Sequence, residues 1–300
     1  MSKIKYLAAA LCSILQIGDA FSQSIESERP FQDIPFDERA AGAFTAAPEA
    51  ITWYRFGNSV QKTPLSAADD RLPTDSRRPN GEPPGTRNPV TPPDASIGKV
   101  YFTDASGNPK QCTGTLVIGD LVITAGHCVH PGNGGNFYTN IEFLPGYADG
   151  SFVGRFTAEE VTVFAGWYQS GDFAHDIAFI RVTPVPRSVH RIGLGLFKPS
   201  CRIGDYFPFI RHGYTPLLNN GERQWESGEA VSGCYQGLVY GSKRTHPGSS
   251  GSPSMARISG YVFAVHSAED AQFPFGSYDA LLTRAKLCFA LRLYDASCSI

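Results

Sequence analysis

The sequence predicts an all-β protein of many short strands, in the rhythm of sandwiches or barrels, with a C-terminal helix and a largely unstructured N-terminal segment. Three observations carry the β assignment. Glycine (31) and proline (22) are abundant in the 300 residues. Valine, isoleucine, threonine and aromatic residues come in short clusters, and turn residues separate those clusters. With 42% hydrophobic and 18% charged residues, the chain can bury a sizeable core. A formal net charge of −2 gives no reason to expect nucleic acid or an anionic membrane as partner.

Residues 1–23 have a basic start (Lys3, Lys5), an apolar stretch from Tyr6 to Leu15 and small residues after it (Gly18, Ala20, Ser22). That is the pattern of a secretory signal peptide; the apolar stretch is short of the roughly 20 residues that a bilayer-spanning helix needs. The expected location is therefore extracellular, with no membrane attachment once the signal is removed. Residues 24–94 shift to proline, charge and small polar residues, which cannot bury enough apolar surface to fold alone. They read as a pro-segment, with Arg77-Arg78 and Arg87 as processing points, or as a flexible tail. Residues 95–300 then form the folded domain.

Strand-like runs are Ile97–Phe102, Gly114–Ile118, Leu121–Thr124, Ile141–Leu144, Val161–Phe164, Ile177–Val182, Tyr206–Ile210, Gly237–Tyr240 and Tyr261–Val265. Gly119-Asp120 between the second and third gives a hairpin. Tyr278–Leu293 reads as a helix, with Leu282, Ala285, Leu287, Phe289 and Leu291 as its apolar residues. No repeat of fixed period is visible.

Removing the signal removes Cys12 and leaves Cys112, Cys128, Cys201, Cys234, Cys288 and Cys298. An even number in an exported chain reads as three disulfides, whose connectivity is open. A zinc site using His127, Cys128 and His130 is the weaker alternative, because oxidising conditions favour a disulfide and the spacing is poor. No metal or other cofactor is expected.

Arg244 to Pro253 gathers three serine hydroxyls among small residues. A serine hydroxyl needs a histidine base and a carboxylate elsewhere to become a nucleophile. His127 follows a strand through Ala125-Gly126 and precedes Cys128, so it reads equally as a base at a cleft or as a buried histidine beside a bridge. Asp176 heads an apolar run; alone it reads as a strand start, and if buried it would need an imidazole N–H. Asp172 competes, but lies in a Ser-Gly-Asp turn. Order discriminates further. An α/β-hydrolase needs Gly-x-Ser-x-Gly followed by an acid and then a histidine, whereas here position 252 is serine and no acid lies between Ser250 and His266.

Thr124-Ala-Gly-His-Cys128, His175-Asp-Ile-Ala178 and Gly248-Ser-Ser-Gly-Ser-Pro253, in that order, resemble the three catalytic blocks of the trypsin-like serine endopeptidases over residues 97–291. Gly-Ser-Pro at the end of the third block and Phe143-Leu-Pro-Gly-Tyr147 are more similar to the V8-like glutamyl endopeptidase branch. The resemblance implies two six-stranded antiparallel β-barrels with the site in the cleft between them, Ser250 as nucleophile, His127 as base and then acid, Asp176 as its orienter, and the N–H groups of Gly248 and Ser250 as the oxyanion hole. It also implies a Cys112–Cys128 bridge; Cys201 with Cys234 and Cys288 with Cys298 follow by proximity. Arg244 stands where trypsins carry the aspartate that pairs with a basic substrate residue. Thr245 and His266 match the glutamyl endopeptidase groups that read a substrate carboxylate, and Ser267 matches the serine that supports the catalytic aspartate. Glu269 departs from that pattern, standing where a small rim residue is usual. The expected enzyme is a monomer made as a zymogen that cleaves protein or peptide substrates, with Glu or Asp before the cut. The competing class is a protease-fold binding protein without catalysis.

Overall fold

The computed structural model describes residues 52–55, 87–196, 207–216, 218–242, 245, 247–269 and 276–293, within the compact unit Ala46–Ile300. Two short strands come first, β1 (Thr52–Arg55) and β2 (Arg87–Pro89). The first barrel follows: β3 (Ile97–Thr103), β4 (Pro109–Ile118), β5 (Leu121–Thr124), β6 (Thr139–Pro145), β7 (Phe156–Val163) and β8 (Ala178–Val182). The second is β9 (Phe207–Gly213), β10 (Trp225–Tyr235), β11 (Leu238–Gly241), β12 (Pro253–Ala256), β13 (Val262–Glu269) and β14 (Ser277–Leu281).

Both barrels are antiparallel and close in the same way. The first runs β3-β4-β5-β8-β7-β6 and the second β9-β10-β11-β14-β13-β12, each ring sealed by pairing of its last strand with its first. One topology is thus used twice without a sequence repeat. Closure leaves short gaps where a long strand outruns a neighbour. Strand β7 pairs with β6 only at Phe156 and Thr157, and β1 pairs with it at Glu160–Val163. Strand β10 pairs with β11 from Val231 onward, and β2 takes Trp225–Ser227. These two strands lie in the segment expected to be unstructured. They form because an uncovered strand edge offers backbone partners that require no apolar side chain.

The first barrel is filled with hydrocarbon. Val100, Val122, Phe143, Val161 and Ile180 share its inner face and are fully buried, each worth about 1.5–3 kcal/mol of transfer free energy. In the second barrel the apolar cluster is small, comprising Phe207, Phe209, Val231, Val239, Ala256, Phe263 and Ala264. Strand alternation explains the rest. On β9, Phe207, Phe209, Arg211 and Gly213 face inward; on β10, Ser227, Glu229 and Val231 do so. Arg211 therefore enters the barrel, donating to Glu229 Oε1 at 2.6 Å and to both Asp279 oxygens at 2.8 and 2.6 Å.

Asp279 corrects the helix expected over Tyr278–Leu293. Residues Ser277–Leu281 are strand, paired with β11 and β13, and the helix is only Arg284–Leu293. The apolar pattern of a helix extends back to Leu282, but the ion pair to Arg211 requires Asp279 on an inward strand face. A second helix, Ala165–Ser170, was not expected. It buries Ala165 and Trp167 and ends at Gly171 in the left-handed conformation (φ +63°). Among the described residues no helix is long and apolar enough to cross a membrane.

Candidate active site

Strand β5 ends at Thr124, and the chain turns through Ala125-Gly126 into a short 3-10 turn, Gly126–Cys128. Glycine is needed at 126 because a Cβ there would lie 2.8 Å from Trp167 Cδ1 and 2.9 Å from Asp176 Oδ1. The Cys112–Cys128 disulfide fixes the turn to β4. It also removes Cys128 from the metal set expected as an alternative. His130, the third member of that set, is buried, with Nε2 bonded to the Gly135 carbonyl at 2.7 Å and Nδ1 accepting from Gly132 N–H at 3.0 Å.

Asp176 is fully buried. Its Oδ1 accepts the His127 backbone N–H at 2.7 Å, and its Oδ2 accepts from His127 Nδ1 at 2.7 Å. The Ser267 hydroxyl also donates to Oδ2. Three donors thus satisfy the carboxylate, fix the imidazole ring and leave Nε2 as the free nitrogen. Burial works against a charged His127, but the charge and hydrogen bond of Asp176 more than offset it, holding the histidine above its ordinary value. Asp172, the competitor, caps its own turn, accepting from Ala174 N–H at 3.0 Å and pairing with His175 at 2.7 Å.

The serine turn is clamped to the elements that carry His127. The Ser250 carbonyl accepts Thr113 N–H at 2.8 Å, next to the bridged Cys112. Gly251 (φ +80°) packs so closely that a Cβ would lie 2.2 Å from both Thr113 O and Thr124 Oγ1. Gly248 (φ +84°) is equally confined, a Cβ meeting Pro216 Cδ at 2.6 Å and Tyr214 O at 2.7 Å. Glycine at 248 is thus demanded by the wall behind it, rather than only by the approach of substrate. Of the three serines, Ser252 is fully buried against Gly213, and Ser250 is half-buried at the turn.

Thr245 and His266 are brought together. Thr245 Oγ1 lies 2.7 Å from His266 Nε2, and both residues are buried. His266 Nδ1 lies 3.0 Å from Asp279 Oδ1. Burial raises the Asp279 carboxyl, but Arg211, helped by His266 and Ser254, brings it down to about 2. Burial and then the Arg211 charge press His266 down to about 4, against the pull of Asp279. The ionised Asp279 therefore takes the Nδ1 hydrogen of a neutral imidazole.

The sequence reading missed Arg211, Glu229 and Asp279 behind the pocket, and Lys286 behind Asp176. Lys286 is buried on the C-terminal helix and donates to the carbonyls of Leu281, at 2.7 Å, and Ala174. Burial pushes it down to about 7, although Asp172 and Asp176 act the other way. The alternation Phe207-x-Phe209-x-Arg211 was the one available signal for the network. Cys234 and Cys288 are disulfide-bonded; their expected partners Cys201 and Cys298, together with Arg244, the signal peptide and the processing point Arg77-Arg78, lie outside the described residues, whereas Arg87, the other expected processing point, begins β2 opposite Ser227.

A family model described as trypsin matches residues 93–274. Among solved structures, the chain is similar to the thermostable serine protease AL20 from an extremophilic microorganism, with 26% identity and a TM-score of 0.58 over 65% of this chain and 94% of that one. It shares its fold with the protease Anisep from Arthrobacter nicotinovorans, at 24% identity and a TM-score of 0.56 over 65% and 93%. The fold of a Glu endopeptidase solved with MPD also matches, at 23% identity and a TM-score of 0.59 over 70% and 97%. A search of curated proteins finds no match. With the twin barrels, a buried Asp–His pair and a family match over more than half its length, this chain belongs to the trypsin family of serine endopeptidases.

Proposed function

We propose that the protein is a secreted endopeptidase in which Ser250, His127 and Asp176 act together and cleavage follows Glu or Asp. Ser250 Oγ bonds to the scissile carbonyl carbon while its proton passes to His127 Nε2. The C–N bond then breaks as the imidazolium returns that proton to the leaving amine, and water repeats the sequence on the acyl-enzyme. Asp176 orients the imidazole and offsets its charge, and Ser267 holds Asp176. The N–H groups of Gly248 and Ser250 face the developing oxyanion, where losing one donor costs about 3–4 kcal/mol. The observation that carries this reading is the 2.7 Å His127–Asp176 pair, held close to the serine turn by the Cys112–Cys128 bridge.

Thr245, five residues before Ser250, and His266, sixteen after it, read the acidic side chain. A substrate carboxylate draws a proton onto His266 Nε2, so that the imidazolium stands between that carboxylate and Asp279. The substrates are proteins or peptides, the enzyme is a monomer, and it is released from a precursor near Arg77-Arg78 or Arg87. A peptide panel differing only in the residue before the cut tests the pocket: Glu and Asp should exceed Gln in kcat/KM, and preference for Lys or Arg would overturn the pocket reading. N-terminal sequencing of the active enzyme tests the processing site.

A further inference from the structure

The Thr245 hydroxyl has a second neighbour. Glu269 Oε1 lies 3.1 Å from Thr245 Oγ1, on the opposite errand from His266 Nε2 at 2.7 Å. A threonine hydroxyl carries one hydrogen. The far nitrogen of His266 already holds its hydrogen toward Asp279, so the neutral ring turns a lone pair to Thr245. Two acceptors therefore contend for one donor before any substrate arrives. Thr245 is buried, and the Glu269 side chain is exposed at the end of β13. It reaches inward from the rim, past the bulge between His266 and Ala268.

We propose that Glu269 is an internal ligand of the pocket: its carboxylate sits on Thr245 where the carboxylate of a substrate Glu or Asp would sit, and it must swing out before an acidic residue is bound. This rests on the acidic-pocket reading above. Two consequences follow from the chemistry. An acidic substrate residue displaces a like charge of the enzyme, whereas a neutral residue need not compete for the hydroxyl. Because the competing group is tethered, its effect is a constant handicap on binding, expressed in KM, and not on the bond-breaking step. A hydrogen bond of this kind corresponds to about a 3- to 10-fold handicap.

The test uses the active enzyme, Glu269→Ala and Glu269→Gln, on peptides with Glu, Gln or Lys before the cut. The Glu-to-Gln ratio of kcat/KM should rise about 3- to 10-fold in Glu269→Ala, chiefly through a lower KM for the Glu peptide. Glu269→Gln should show a smaller rise, because the amide oxygen still accepts from Thr245 without the charge. If wild type prefers Glu and the ratio does not change in Glu269→Ala, the internal ligand is refuted and the acidic pocket stands. If wild type prefers Lys and Glu269→Ala loses that preference, Glu269 recruits cations, and both readings are overturned. If neither Glu nor Lys is favoured by wild type but Glu269→Ala gains Glu cleavage, the internal ligand is supported in its strongest form; without that gain it is refuted.

Discussion

The two barrels share one topology and differ in what fills them. The first is packed with hydrocarbon around Val122, Phe143 and Ile180 and presents His127 and Asp176 at its rim. The second holds Arg211 between Glu229 and Asp279 and presents the serine turn and the Thr245–His266 pair. A packed apolar core makes a rigid mount, suited to holding an imidazole in one orientation. An ionic core makes a mount with a set protonation pattern, and here that pattern reaches His266 and, through it, Thr245. The same closed sheet can thus supply either geometry or electrostatics, depending on which residues alternate inward.

The largest expected effect concerns the joint between the barrels. Ser250→Ala, His127→Ala and the double variant should each lose about a million-fold in kcat, because groups that act as a unit are not additive. Additive losses, measured by steady-state kinetics, would mean that the barrels contribute independently. Next come the cores. In urea unfolding, Phe143→Ala in the first barrel should cost about 3–5 kcal/mol through the cavity it leaves. Arg211→Met in the second should cost about 3–5 kcal/mol by stranding two buried carboxylates. The combined variant Arg211→Met, Glu229→Leu, Asp279→Leu should recover that loss and exceed wild type by about 1–4 kcal/mol; if it stays as unstable as the single variant, the ionic core is not what distinguishes the second barrel.

Acid should act through the second barrel. His266 is depressed to about 4 when folded, so the unfolded chain binds the extra proton between about pH 6.5 and 4. Stability falls as pH drops through that window, by about 3 kcal/mol at most, and His266→Gln should remove this part of the loss. Asp279, depressed to about 2, contributes stability that is complete above the ordinary aspartate value and is lost as pH falls from there through 2. The same histidine gives the pocket a pH signature. Binding an acidic side chain takes up a proton on His266, so the Glu-to-Gln ratio of kcat/KM should fall by up to about tenfold per unit as pH rises above 4. A flat ratio would mean that His266 does not read the carboxylate. The smallest effect is Ser267→Ala, which removes one of three donors to Asp176 and should cost about tenfold in kcat/KM.

How much of this was legible in the sequence follows the same division. The first barrel's strands announce themselves as runs of β-branched and aromatic residues because they bury hydrocarbon on their inner face. Strands β10 and β14 do not, since Glu229 and Asp279 are tolerable inside only through Arg211, which lies 18 and 68 residues away in the chain. That dependence also hid Ser277–Leu281 under a helical apolar pattern. The His127–Asp176 pair was legible because each residue has a distinctive local setting and the two precede the serine turn in one order. The buried groups around that pair were not, as with Lys286, whose burial depends on carbonyls at Leu281 and Ala174. Strands β1 and β2 escaped notice because backbone pairing at a barrel edge leaves no side-chain signature.

The central claim is that one serine, mounted on the second barrel, is activated by a base mounted on the first. Labelling the active enzyme with a fluorophosphonate and mapping the modified peptide by mass spectrometry tests it most directly. The label should fall on Ser250 alone and disappear in His127→Ala while that variant remains folded. A label on Ser249 or Ser252, or labelling that is unchanged without His127, would contradict the account.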